Sequence, residues 1–344
     1  MPFCAARCDY CAFATWTDRH HLQQAYLDAC LIDVERAVAA GMPAATSVFV
    51  GGGTPSLVDP SRLVAVLDAV PKASGCEITV ECNPDTVTPA LAAAYAAGGV
   101  NRASIGVQSM VDHVLVALGR THDPANVRRA VELVREAGIP TLNLDLIYGS
   151  RVESLDDWRR TLDGALELDP PHVSAYALTV EPGTALADDP ARHPDDDDQA
   201  DKYLAAASAL EAAGLGWYEI SNWARPGHEC RHNRLYWSMG EYQAFGCAGH
   251  SHRGGRRFWN VRTPERYIEA VTAGRSPEAA GEHLDPDARR LEALQLAVRT
   301  REGVPAGALP VEELGDLVTM AGDDRAVLTV RGRLLANEVA LRLR

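Results

Sequence analysis

The residues best equipped for chemistry stand at the start of the chain, in Cys4-Ala-Ala-Arg-Cys8-Asp-Tyr-Cys11, a C-x3-C-x2-C spacing. Thiolate sulfur is a soft ligand that suits Fe–S clusters and zinc. A structural zinc takes four protein ligands, and no fourth Cys or His stands at a natural local spacing. His20 and His21 are the nearest and fall on an expected helix start. Three thiolates from one short loop instead fit one face of a [4Fe–4S] cube and leave one iron open. That iron can chelate the amino and carboxylate groups of S-adenosylmethionine (SAM). One electron from the cluster then cleaves the sulfonium to a 5′-deoxyadenosyl radical, with the protein orienting the cofactor. Cys4, Cys8 and Cys11 are therefore read as cluster ligands.

A second feature follows the expected strand Thr46–Val50, which runs into Gly51-Gly52-Gly53-Thr54-Pro55-Ser56. Glycines let backbone N–H and C=O groups approach a ligand closely. The bland alternative is a tight turn before a helix. Glu81, Gln108, Arg120 and Asp145 stand at or just after the ends of successive expected strands. Buried side chains of these types need partners, whether structural neighbours or a ligand.

The run Pro2-Phe3-Cys4-x3-Cys8-x-Tyr10-Cys11-x-Phe13 resembles the radical SAM branch that holds oxygen-independent coproporphyrinogen III dehydrogenase and the HemW-type haem chaperones. The resemblance runs from Pro2 to the last helix. It implies a SAM site made by Tyr10, Gly52, Gly53, Thr54, Glu81, Gln108, Arg120 and Asp145. In the dehydrogenase, Gln108, Arg120 and Asp145 would match contacts to a second SAM.

Two features separate the relatives. The dehydrogenase carries a fourth cysteine two residues after the third. Here that position is Phe13, which can neither ligate metal nor relay a radical, and phenylalanine there resembles the chaperone branch. Further on, Tyr218-Glu219-Ile220-Ser221-Asn222-Trp223 leads to Cys230 and then to His232-Asn233-Arg234-Leu235-Tyr236-Trp237, an H-N-x-x-Y-W run like that of the chaperones. Imidazole is a good axial ligand for haem iron, and aromatic rings pack on a porphyrin face. The alternative is a structural cluster without haem contact. His232, Asn233, Tyr236, Trp237 and His250 are the candidate haem contacts, with His252 a further alternative. Arg256 or Arg257 could pair with a propionate.

These residues need a scaffold, and the sequence supplies an alternating one. Strands are expected at Thr46–Val50, Glu77–Cys82, Ala103–Val107, Thr141–Ile147 and His172–Leu178, nearly continuously apolar as if covered on both faces. Helices are expected at His21–Ala40, Pro60–Val70, Pro89–Ala97, Pro124–Ala137 and Leu155–Leu168. Asp59-Pro60 and Thr88-Pro89 are helix starts, and Gly41 and Gly138 suit helix ends. Strand–helix alternation means a parallel sheet, with a site at the C-terminal strand ends if it closes as a barrel. The fold class is α/β: a partial (β/α)6 radical SAM barrel lacking its first strand, with a C-terminal α-rich, winged-helix-like domain. The divisions are 1–217 for the barrel and cluster loop, 218–284 for a post-barrel segment with the HNxxYW motif, and 285–344 for a small helical domain. Within the last, a β-like stretch at Leu328–Val330 precedes a final helix Leu334–Leu343. Arg192–Asp198 is acidic and reads as a solvated loop or the start of a helix Gln199–Ala213.

Composition bounds the function. The 344 residues are 47% apolar and 23% charged, with net charge −14, which reads as a globular protein whose field repels nucleic acids and anionic membranes. Arg253, Arg256 and Arg257 are a candidate local basic patch. No signal pattern or membrane-spanning run is present, so a cytoplasmic protein is expected. The scattered Cys30, Cys76, Cys82, Cys230 and Cys247 then read as buried thiols. The resemblance implies haem as cargo, acceptor haemoproteins with respiratory ones among the candidates, a reductant protein still to be identified, and a homodimer.

Two departures from the family carry expectations. Ser150-Arg151-Val152 stands where the family usually has Pro-Gly, so the loop above Asp145 differs in shape. The chain also opens three residues before Cys4, where the family has a further strand with a SAM-contacting Tyr. A chain extended upstream by that strand is expected to melt higher and to bind SAM more tightly. Thermal unfolding and SAM titration check this, and no gain in either overturns it.

Overall fold

In the computed structural model, which describes residues 1–322 and 324–344, helices begin where the sequence provides caps. The Asp59 carboxylate accepts from Ser61 N–H ahead of Pro60, and the Thr88 hydroxyl accepts from Leu91 N–H ahead of Pro89. Ser154 and Asp157 form a reciprocal capping box. Gly41 and Gly138 follow their helices at φ +88° and +81°, where a side chain would be strained.

Five strands, β1 (Ala45–Val50), β2 (Lys72–Cys82), β3 (Arg102–Gln108), β4 (Thr141–Tyr148) and β5 (His172–Ala177), pair in parallel and in chain order. The helices of this half are α1 (Gln23–Ala39), α2 (Pro60–Ala69), α3 (Pro89–Ala97), α4 (Asp112–Ala117), α5 (Pro124–Glu136), α6 (Leu155–Leu166) and α7 (Asp196–Ala212). An antiparallel hairpin, β6 (Gly216–Glu219) and β7 (Asn222–Ala224), completes the sheet in the order β1-β2-β3-β4-β5-β7-β6. This is an open partial barrel, and its sheet runs on to Ala224.

The strands are not apolar on both faces. Ile78, Val80, Ala103, Ile105, Leu142, Leu144, Val173 and Ala175 are buried in the main core. The alternate residues Glu77, Glu81, Arg102, Ser104, Asn143, Asp145, His172 and Ser174 are polar, and several bond to one another across strands. Strand side chains alternate faces, so one wall packs helices and the other lines a polar hollow.

Beyond the hairpin, α8 (Arg231–Trp237) precedes a three-stranded antiparallel sheet, β8 (His250–Arg253), β9 (Arg256–Asn260) and β10 (Glu278–His283), with α9 (Pro264–Thr272) between the last two. This sheet is absent from the sequence-based expectation. Its strands carry arginines and glutamates that pair across the ladder. Arg256 pairs with Glu278, and Arg257 with Glu282 and Glu292. The expected basic patch is therefore largely neutralised, and both arginines are engaged where a propionate was considered.

The last unit begins with α10 (Pro286–Ala297) and holds β11 (Val304–Pro305), α11 (Val311–Leu314), β12 (Val318–Ala321), β13 (Arg325–Leu328), α12 (Val330–Leu334) and α13 (Ala336–Ala340). Val298, Val304, Leu309, Leu328 and Val339 give it a core of its own. Its β-hairpin and flanking helices have the winged-helix order. The expected β-like stretch ends at Leu328, and the expected final helix is broken at Leu335.

The acidic stretch starts a helix, as one reading had it: Asp195 caps α7, and Asp198 binds the fully buried Lys202 ammonium. Lys202 Nζ also donates to Glu153 O at 2.6 Å and lies 3.4 Å from the equally buried Glu153 carboxylate. Removing one partner of a buried ion pair typically costs about 3–5 kcal/mol. Lys202→Met should lose stability of that order in denaturant unfolding, and a loss below about 1 kcal/mol would show the pair to be dispensable.

Candidate functional site

The cluster loop is held from below by contacts distant in sequence. Asp9 N–H donates to Leu118 O, and Leu186 N–H donates to Asp9 O. The Arg192 guanidinium bridges the Asp9 carboxylate at 2.7 Å and Ala117 O at 2.6 Å. Tyr10 packs on Val111, Val114, Leu118, Leu178 and Leu186, a small apolar cluster under the loop. Phe3 is fully buried, edge-on to Tyr26. Phe13, beyond Cys11, is 62% exposed and stands clear of the core.

The sulfurs meet donors. Thr54 Oγ1 donates to Cys4 Sγ at 3.7 Å, and Arg120 Nη1 donates to Cys8 Sγ at 3.6 Å. Burial pushes the free thiols of Cys4 and Cys11 up, and the Tyr10 phenol as well. Metal binding takes such raised thiols to thiolates by replacing their protons. A hydroxyl and a guanidinium aimed at sulfur then stabilise the negative charge. This donor set fits a [4Fe–4S] cluster. Among the described residues, no three His, Cys, Asp or Glu side chains are grouped tightly enough for a single metal ion. A cube has no such need, because it takes its three thiolates on three separate irons.

The glycine loop serves first to seat the chain's opening residues. A Cβ on Gly52 would lie 2.9 Å from Met1 O, and one on Gly53 would lie 2.6 Å from Phe3 O. Gly53 N–H donates to Met1 O, and Thr54 N–H to Phe3 O. The backbone of Met1 and Phe3 thus lies against one side of the loop.

Glu81, on the concave face of β2, accepts from Gly52 N–H at 3.1 Å. Burial first, and the nearby Asp145 charge second, push its carboxyl up to about 7. Asp145 accepts from Ser104 Oγ at 2.7 Å and Asn143 Nδ2 at 2.8 Å. Burial raises its pKa, and those hydrogen bonds oppose the rise. Arg120 Nη2 donates to Gly106 O, and its Nε to His122 Nδ1. His122 donates through Nε2 to Val107 O, and burial and Arg120 lower its pKa to about 4, so it stays neutral. Gln108 is buried at φ +56°, with its Oε1 lacking any partner. An unpaired buried amide oxygen and a raised carboxyl at neighbouring strand ends form a polar recess ready for a ligand.

The HNxxYW helix packs by one side on β1, and none of its residues is fully buried. His232 stacks on Phe49 of β1 at 4.9 Å between centroids. Its Nδ1 meets Ser47 Oγ at 3.3 Å, and its Nε2 meets the Tyr236 hydroxyl at 2.8 Å. Burial lowers its pKa to about 4, which keeps the imidazole neutral as a ligand must be, but both nitrogens are engaged. Tyr236 stands edge-on to Tyr242. Asn233 and Trp237 sit on the same helix, and no contact joins them to the His232 ring. His250 lies apart, exposed on β8 and stacked on Trp259. His252 is buried, with Nδ1 facing Gly240 O and Nε2 unpartnered. Of the scattered cysteines, Cys30, Cys76, Cys82 and Cys230 are buried, and Cys247 is half-buried against Tyr26.

The sequence reading missed Glu77. Its Oε1 accepts from Arg231 N–H and His232 N–H and so caps the motif helix. Its alternation with Thr79 and Glu81 was the available signal.

A parallel open barrel with three cysteines in a loop at its mouth defines a radical SAM protein, and residues 1–165 match the Radical SAM superfamily. The chain is 41% identical to "Heme chaperone HemW" of Mycobacterium tuberculosis (strain H37Rv) across 98% of its length and 92% of that protein. It is 32% identical to "Heme chaperone HemW" of Bacillus subtilis, over 98% of this chain and 96% of that one. The chain belongs to the HemW-type family of radical SAM proteins. Coproporphyrinogen III oxidase (HemN) from Escherichia coli shares the fold, with a TM-score of 0.85 over 99% of this chain and 88% of that one, at 19% identity.

The Glu81 carboxyl should titrate near pH 7 in the cofactor-free protein. Carbon-13 NMR on glutamate-labelled protein identifies the resonance as the one lost in Glu81→Gln. Asp145→Asn should move its midpoint down, because the neighbouring charge is gone. An ordinary midpoint, or an upward move, would contradict the assigned causes.

Proposed function

We propose that the chain binds haem and hands it to acceptor haemoproteins, with a [4Fe–4S] cluster and SAM supporting the process. The observation that carries this is kinship over 98% of the chain to a protein named as a haem chaperone. Cys4, Cys8 and Cys11 hold the cluster by their thiolates. Tyr10, the Gly52–Thr54 loop, Glu81, Gln108, Arg120 and Asp145 surround SAM: Glu81 offers a carboxylate, Gln108 an unpaired amide oxygen and Arg120 a cation. When bound, the cluster and SAM together supply one-electron chemistry. Haem contacts the α8 face of His232 and Tyr236, with Asn233, Trp237 and His250 as further contacts. Ligation by His232 Nε2 displaces its bond to Tyr236. Respiratory haemoproteins are among the candidate acceptors, a separate reductant feeds the cluster, and the working state is a homodimer in the cytoplasm. No helix among the described residues is long and apolar enough to cross a membrane. The division at residues 217 and 284 into barrel, motif segment and C-terminal unit is the working map of these roles.

The second reading is oxidative decarboxylation of coproporphyrinogen III. It is favoured only by likeness of fold, and folds host more than one function. Phe13 removes the fourth thiol that this chemistry would use.

An anaerobic assay of cluster-reconstituted protein with reductant, SAM and coproporphyrinogen III separates the readings. No protoporphyrinogen IX is expected, while the same sample binds haem stoichiometrically and passes it to an apo-haemoprotein. Multiple turnovers to protoporphyrinogen IX would overturn the chaperone reading. His232→Ala should shift the haem Soret band and weaken binding about tenfold or more, the scale on which metal sites respond to changes in their ligand shell. An unchanged spectrum and affinity would move the iron ligand to His250 or Cys230.

A further inference from the structure

The polar hollow contains an unbroken hydrogen-bonded chain that no role above uses. It starts at the N-terminus of α8, where Cys230 N–H meets the Tyr218 hydroxyl at 3.4 Å. Tyr218 meets His172 Nε2 at 2.8 Å, and His172 Nδ1 meets Asn143 Oδ1 at 2.6 Å. Asn143 Nδ2 then reaches Asp145 Oδ1 at 2.8 Å. His172, Tyr218 and Asn143 are each at most 4% exposed, so water offers them no easy substitute.

The partners fix the direction of every proton. An ionised Asp145 only accepts, so the Asn143 amide turns its NH2 toward Asp145 and its oxygen toward His172. His172 must then carry hydrogen on Nδ1, which leaves Nε2 to accept from Tyr218. The Tyr218 oxygen in turn accepts from Cys230 N–H. Every link donates toward Asp145. The far end is one of the first amides of α8, whose next two are held by Glu77. Helix-end amides lack intrahelical partners, so Tyr218 and Glu77 between them set where this helix begins.

We propose that Asn143, His172 and Tyr218 are positioning residues that couple occupancy at Asp145 to the seating of α8, and thereby SAM binding to haem binding. The proposal rests on the preceding reading that Asp145 touches SAM and α8 touches haem. A ligand hydroxyl or cation that takes an Asp145 oxygen competes with Asn143. The amide's adjustment passes through His172 and Tyr218 because each has one proton to give. Such coupling is reciprocal: whatever SAM does to haem affinity, haem does to SAM affinity.

The test titrates haemin into cluster-reconstituted protein with and without saturating SAM, the cluster kept oxidised so that SAM stays intact. The native protein should show haem dissociation constants differing about fivefold or more between the two conditions. Tyr218→Phe, which keeps the ring and loses the hydroxyl, should bind each ligand alone and show equal constants. Amide exchange needs no variant: SAM should change protection at Cys230–Asn233 of the native protein. The proposal is overturned if both ligands bind without coupling, if Tyr218→Phe remains coupled, or if exchange at those amides ignores SAM. Failure of haem or SAM to bind the native protein at all is a different result, and it removes the proposed function itself.

Discussion

An open barrel leaves a polar wall that must find partners without a closing ring of strands, and the rest of the structure follows from how this is met. Arg102, Asn143, His172 and Ser174 are buried on that wall. Each buried polar group left unpaired costs about 1–3 kcal/mol. Residues 218–237 supply much of what is missing. His228 O accepts from Arg102, and the His228 ring meets Thr141. Tyr218 meets His172, and Asn222 meets Ser174. The segment that leads into the motif helix therefore fills part of this wall, and the wall that needs partners is the wall that ends in Glu81 and Asp145.

Much of this was legible in the sequence because its signals are local. Caps such as Asp59-Pro60 and Thr88-Pro89 set helix starts within a residue or two, and the cysteine spacing needs only neighbours. Three features escaped for physical reasons. The polar wall was hidden because runs such as Ile78–Val80 dominate a reading for apolar content, while the alternation Glu77–Thr79–Glu81 carries the information. The β8–β10 sheet was hidden because charged strands are poor strand signals until their opposite charges face each other, as Arg257 and Glu282 do. The seating of Met1 and Phe3 on Gly52 and Gly53 was hidden because glycine signals close backbone approach and not what approaches.

The relation to coproporphyrinogen III oxidase shows how little of a fold specifies chemistry. The two backbones agree over nearly the whole chain at 19% identity. A likeness of that kind concerns the scaffold, and the chemistry lies with side chains such as those of the cysteine loop, where Phe13 is exposed. Exposing 62% of a phenylalanine gives no packing return. Its side chain therefore adds little to the stability of the barrel.

The anchors of the cluster loop bear on the order in which the protein is made. The cysteines precede their seats in the chain, for these are Thr54, Leu118, Arg120, Leu186 and Arg192. At about 5–20 residues per second, Arg192 follows Cys4 by roughly ten seconds or more. Through that interval the three thiols lack these anchors and stand open to oxidation. The seat of the loop is therefore complete only once the barrel has folded, whereas its thiols are made before any of those anchors.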